Sequence, residues 1–204
     1  MSSPRIYLAS KSPRRQDLLR QIGVEFDLIR LREAIGRDRD VQEGARASEP
    51  ALHYVERMAR TKAAVAWTRM QQRKMTELPV LSADTEVVLD DAIFGKPADA
   101  ADATRMLKQL SGKTHDVVTA VAVRLGEQTE VEISVSKVAF RPLSAAEIDH
   151  YVATGEPDDK AGAYAIQGRA AAFITRLEGS FSGVMGLPLA ETAQILARFG
   201  MPVI

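Results

Sequence analysis

The chain has 204 residues, 46% of them hydrophobic and 26% charged, with 27 basic side chains against 27 acidic ones and a net charge of zero. That length and apolar content predict a single domain over residues 1–204, with two lobes around a cleft. Balanced charge removes the global positive field of a general nucleic-acid or anionic-membrane binder, and the absence of cysteine excludes a disulfide framework, a thiolate zinc site and a cysteine nucleophile.

Residues 6–9 predict a short strand. Ser12 then caps a helix that opens at Pro13, a favoured first position, carries Leu18, Leu19 and Ile22, and stops at Gly23. Residues 25–29 suggest a second strand, and residues 30–50 are charged and aperiodic, which predicts a mobile loop. A helix over residues 51–70 follows, because Leu52, Val55, Ala59, Ala63 and Ala66 recur at helical spacing. Residues 79–90 are strand-like. Asp99 caps a helix that runs through Leu110 to Gly112, and residues 114–124 and 131–141 form a hairpin of long strands around Gly126. Ser144 and Glu147 make a capping box for a helix through Thr154, residues 173–177 read as a strand, and Pro188 opens a last helix to Phe199. Strands and helices alternate without a regular βαβ repeat, so the class is mixed α/β. Apolar runs of about five residues fall far short of the ~18 needed to cross a bilayer. With no apolar signal-peptide core at the N-terminus, the expected location is cytoplasmic.

Three groups of residues carry candidate chemistry. Ser10, Ser12, Arg14 and Arg15 surround a helix start whose dipole end is already positive, so two arginines there cost about 0.3–1 kcal/mol per charge unless an anion compensates them. Backbone N–H groups, two hydroxyls and two guanidinium forks suit a phosphate chain; the other reading is a solvated basic segment with an ordinary serine cap. The glycines and the Gly-Lys-Ser/Thr ending of a Walker loop are absent.

Asp84 and Glu86 interrupt the apolar run of residues 80–89, and in an unbulged strand Ser82, Asp84 and Glu86 share a face while Thr85 lies on the other. A carboxylate within a strand needs a cation, a metal or a hydrogen-bond partner, which makes Asp84 a candidate base or magnesium ligand; alternatively the strand ends at Ala83. Lys62 falls on the apolar face of its helix and either snorkels to solvent or points into a cleft. Lys96 and Lys160 sit in loops where a cation can reach a ligand. His53, His115 and His150 are dispersed, without metal-ligand spacing, and read as structural.

Six blocks together resemble the Maf family of nucleoside triphosphate pyrophosphatases, in order through nearly the whole chain: residues 8–15 (LASKSPRR), 82–85 (SADT), 95–97 (GKP), 110–115 (LSGKTH), 159–168 (DKAGAYAIQG) and 186–189 (GLPL). The resemblance implies a fold similar to inosine triphosphatases, an elongated twisted mixed sheet with flanking helices and a central cleft, commonly dimeric. It implies a hydrolase acting on an acid anhydride, cleaving metal-dependently between the α and β phosphates to release a monophosphate and pyrophosphate, with magnesium or manganese as the cation. By the same resemblance Asp84 matches the proton acceptor, Arg14, Thr85 and Gln167 match positions linked to base specificity, and Arg15, Lys62 and Lys96 match cleft positions. The form of residues 159–168 is similar to the branch acting on dTTP and UTP, a nucleotide house-cleaning activity. An amide such as that of Gln167 offers a pyrimidine edge both a donor and an acceptor. Asp84 and Glu33 are the metal ligands the resemblance implies, although the loop carrying Glu33 is longer and more basic than the family's acidic one. The alternatives are the 7-methylguanosine triphosphate branch and a nucleotide-binding regulator of cell division or septum formation.

Overall fold

The computed structural model describes residues 4–32, 40–42, 44–46 and 48–203. Its strands are β1 (Arg5–Leu8), β2 (Glu25–Leu28), β3 (Val80–Leu89), β4 (Ala92–Phe94), β5 (Thr114–Leu125), β6 (Gln128–Phe140) and β7 (Ile174–Glu178). Its helices are α1 (Pro13–Gln21), α2 (Ala51–Gln72), α3 (Ala100–Leu110), α4 (Ala145–Val152), α5 (Phe181–Met185) and α6 (Leu189–Arg198). All seven strands belong to one mixed sheet, ordered β2-β1-β3-β5-β6-β7 with β4 on β3. β1 is parallel to both β2 and β3, while β4 and β7 run antiparallel to β3 and β6. The mixed α/β class is therefore borne out.

The chain divides into two compact units, one comprising Met1–Asp84, Thr119–Ile133 and Gly186–Ile204, the other Thr85–Val118 and Ser134–Met185. In the first, Tyr7, Ile29, Trp67, Met70 and Val80 form a buried cluster between strand and helix residues, and α2 contributes the buried stripe Tyr54, Val55, Met58, Ala59, Ala63 and Ala66 that its periodicity requires. In the second, α3 buries Ala103, Met106, Leu107 and Leu110 against Phe94, Phe140, Tyr151, Tyr164 and Phe173. Both caps predicted in this unit form: Asp99 accepts from the Asp102 N–H at 2.8 Å, and Ser144 and Glu147 close their capping box.

Three departures from the predicted elements have local causes. β4 follows a turn made by Asp90 and Asp91 at φ 50° and 63°, a left-handed pair of the kind that hairpins require but without the glycine that signals it in a sequence. α5 spans five residues, too few for a 3.6-residue period to show. β6 starts at Gln128 rather than residue 131 because its polar beginning is clamped by side chains: Arg198 pairs with Glu130 and Glu132, and Arg60 donates to the Thr129 carbonyl. Within the stretch expected to be a mobile loop, the described residues are tied down. Asp40 accepts from the Arg32 backbone and pairs with Arg69, and Glu49 holds Arg57 at 2.6 Å.

Candidate active site

In the first unit the site grows from where β1 ends. The Ala9 N–H donates to the Leu81 carbonyl at 2.8 Å, so the loop leaving β1 starts alongside the part of β3 that carries Ser82 and Asp84. Ser10 and Ser12 sit in that loop. Ser12 caps α1 by accepting from the Arg15 N–H at 3.5 Å, and Ser10 Oγ accepts from the Ser12 N–H at 3.2 Å. Arg15 extends back across the loop, its Nε donating to the Gly186 carbonyl at 2.7 Å and its Nη1 to Ser10 Oγ at 3.4 Å. Part of the guanidinium that the sequence assigns to phosphate thus ties the loop to the segment leading into α6. No acidic residue lies in the first turn of α1, so the positive end of the helix keeps its affinity for an anion. Arg14 is half-buried in that turn.

Asp84 lies inside β3, not at its end, and is 7% exposed. Lys62 reaches it from the middle of α2, with Nζ 2.7 Å from Oδ1. Ser82, on the same strand face, donates to the Ala59 carbonyl one turn before Lys62, at 2.6 Å, which pins α2 against β3 at this level. Lys62 therefore does not snorkel. Asp84 Oδ2 is buried without a hydrogen-bond partner among the described residues, and a buried carboxylate oxygen left unpaired is costly. Among the described residues no cluster of three metal-binding side chains is present, and Glu33 lies outside the described residues. The unpaired Oδ2 nevertheless suits magnesium, a hard cation that takes one or two carboxylates together with substrate phosphates and keeps several waters.

In the second unit the block at residues 159–168 is irregular backbone. Asp159, Gly162 and Ala163 all have φ between 60° and 67°, left-handed positions that cost non-glycine residues about 1–2 kcal/mol each and that cluster where function over-determines the backbone. Gly162 donates to the Gly95 carbonyl at 3.1 Å, and a Cβ on it would come within 2.7 Å of the Val87 side chain; only glycine permits that approach. The Gly168 N–H closes a four-residue turn onto the Ala165 carbonyl at 3.0 Å, with Gln167 at its third position and exposed. Beneath it Tyr164 is bonded to His115 Nε2 at 2.9 Å and stacks edge-on with Phe140. Burial pushes His115 down to about 4, so it is neutral at pH 7 and structural, as its sequence position suggests. Thr85 is half-buried and Lys96 exposed, and Lys160 donates to the Asp158 carbonyl at 3.1 Å.

The structure thus brings Lys62 onto Asp84 and Ser10 onto Arg15, and places Gln167 on a turn of the second unit together with the elements carrying Thr85 and Lys96. Residue spacing alone missed Tyr151 and Glu156, which hold that turn from below. The one available signal was the acidic side chain in Gly155-Glu156-Pro157, next to the 159–168 block.

Comparison with known proteins agrees with the motifs. The family model described as Maf-like protein matches residues 5–199. The chain is 56% identical over 200 residues to the dTTP/UTP pyrophosphatase of Aromatoleum aromaticum, covering 98% of this chain and 97% of that one. It is 57% identical over 192 residues to the dTTP/UTP pyrophosphatase of Nitrosospira multiformis, covering 94% and 93%. Among solved structures, the Staphylococcus aureus Ham1 protein matches with a TM-score of 0.50 at 16% identity, covering 96% and 97% of the two chains. This supports the fold expected from the resemblance.

Proposed function

The chain belongs to the Maf family, and from that premise we propose that it hydrolyses dTTP and UTP to the monophosphate and pyrophosphate, as a nucleoside triphosphate diphosphatase that clears nucleotides from the pool. The observation that carries the chemistry is the Lys62–Asp84 pair: one carboxylate oxygen is fixed by an ammonium at 2.7 Å, while the other is buried and has no partner among the described residues. In this reading Oδ2 of Asp84 takes the proton of a water whose oxygen attacks the α phosphorus, and the α–β bridging oxygen leaves with pyrophosphate. Lys62 holds the carboxylate in place. The start of α1, with Ser10, Ser12, Arg14 and Arg15, receives the phosphate chain, and Lys96 is a further cation for phosphate charge. A magnesium or manganese ion would supply neutralisation of phosphate charge, and Asp84 Oδ2 would be its described donor were that oxygen to hold the metal instead of taking the proton. Gln167 reads the base, and Thr85 and Arg14 are further specificity positions.

The test is a panel of triphosphates with pyrophosphate detection. The expected result is kcat/KM for dTTP and UTP at least ~10-fold above that for dATP, GTP and 7-methylguanosine triphosphate, the range that one well-placed amide can discriminate. A purine preference would overturn the branch and leave the family; binding without turnover would favour the division-control reading.

A further inference from the structure

Gln167 stands on a four-residue turn, and one carboxylate holds its two flanks, directly on one side and through the Tyr151 hydroxyl on the other. Glu156 Oε2 accepts the Arg169 N–H at 3.0 Å, and Oε1 accepts the Ala170 N–H at 3.4 Å. These are the first N–H groups of the 3-10 turn Arg169–Phe173, which have no partner within that turn. On the other side of Gln167, the Ala165 N–H donates to the Tyr151 hydroxyl at 3.4 Å, and that hydroxyl donates to Glu156 Oε1 at 3.0 Å. A Cβ on Gly168 would overlap the Glu156 carboxylate, so glycine is what lets the backbone descend onto it. Tyr151 is itself fixed. It is 4% exposed, packs edge-on against Phe173 at 5.1 Å, and its phenol is pushed up by burial and by the Glu156 charge, which keeps the proton on the hydroxyl.

We propose that Glu156, acting with Tyr151, is the positioning residue for base recognition, because its one carboxylate anchors both flanks of the turn that presents Gln167. The proposal rests on the reading of Gln167 as the base-reading side chain. Neither Glu156 nor Tyr151 need touch the substrate. Their effect passes through the backbone of residues 165–170, and an amide displaced by a fraction of a hydrogen-bond length loses its preference among bases before it loses the ability to bind a triphosphate.

The experiment compares kcat/KM for dTTP and GTP, together with thermal stability, in Glu156→Gln, Tyr151→Phe and Gln167→Ala, and in the first two combined with Gln167→Ala. Glutamine keeps the length of Glu156 but replaces one acceptor with a donor facing another donor. Glu156→Gln is expected to lower the dTTP:GTP ratio about 10-fold, through KM for dTTP, with kcat for dTTP within about 2-fold. Tyr151→Phe is expected to lower the ratio about 3-fold, and neither change should move it further once Gln167 is alanine. A Glu156→Gln effect equal on both substrates, or one that persists in the Gln167→Ala background, makes the carboxylate a stabilising group only and overturns the proposal. If Gln167→Ala shifts the ratio while Glu156→Gln and Tyr151→Phe leave it alone, the proposal fails and the Gln167 reading stands. If Gln167→Ala leaves the ratio unchanged, both fall. Should Glu156→Gln not fold, Tyr151→Phe decides by the same criteria.

Discussion

In the first unit, Lys62 and Asp84 face each other from the middle of a 22-residue helix and a ten-residue strand, whereas in the second unit Gln167 stands on a turn of irregular, partly left-handed backbone. The first arrangement places charges on regular elements, where neighbouring turns and ladder bonds hold each Cα and the pair needs only one contact to be oriented. The second presents a neutral amide from backbone with no ladder, so its position depends on a carboxylate, a phenol and two glycines below it. The contrast teaches that a strong, long-range interaction such as the grip on phosphate charge tolerates small errors of placement, while discrimination among bases by a few hydrogen bonds does not.

The sharpest way to break the first region is Asp84→Asn, which keeps the acceptor facing Lys62 and removes the basic oxygen. Turnover of dTTP is expected to fall ~100-fold or more, with triphosphate binding by calorimetry changed less than ~5-fold. A matching rise in the magnesium concentration needed for half-maximal rate would assign Oδ2 to the metal instead of the proton. Lys62→Met comes next: it leaves a buried carboxylate without its cation, so turnover should drop about 10-fold and stability by about 1–3 kcal/mol in urea titration. If stability holds and only KM rises, Lys62 serves the phosphate chain more than Asp84.

The second region should be the acid-sensitive one. The unfolded chain protonates His115 below about 6.5, whereas the folded protein does not until about 4. The unfolding free energy is therefore unaffected by this group above pH 6.5, and it falls as pH drops from 6.5 towards 4 by up to about 3 kcal/mol. His115→Gln, which can still bond Tyr164, should flatten that slope between pH 7.5 and 4.5. An unchanged slope would place the acid sensitivity elsewhere.

Much of the fold was legible because periodicity and capping act locally. The α2 stripe, the Asp99 cap, the Ser144–Glu147 box and the long strands follow from side chains a few residues apart. The family was legible from six short blocks; Asp84 and Lys62 stood out as candidates because each interrupts an apolar strand or helix face, whereas Gln167 was a candidate only through the resemblance. Spacing could not say that Lys62 grips Asp84, since 22 residues separate them and the choice between snorkelling and pairing depends on where a helix lands on a strand. Nor could it say that Arg15 bonds the Gly186 carbonyl, 171 residues away, or that Glu156 closes around Gly168. Local sequence determines which residues can form an element and which can carry charge or a hydrogen bond. Only tertiary packing decides which partner each polar group meets, because the cost of burying it unpaired is settled by neighbours from distant parts of the chain.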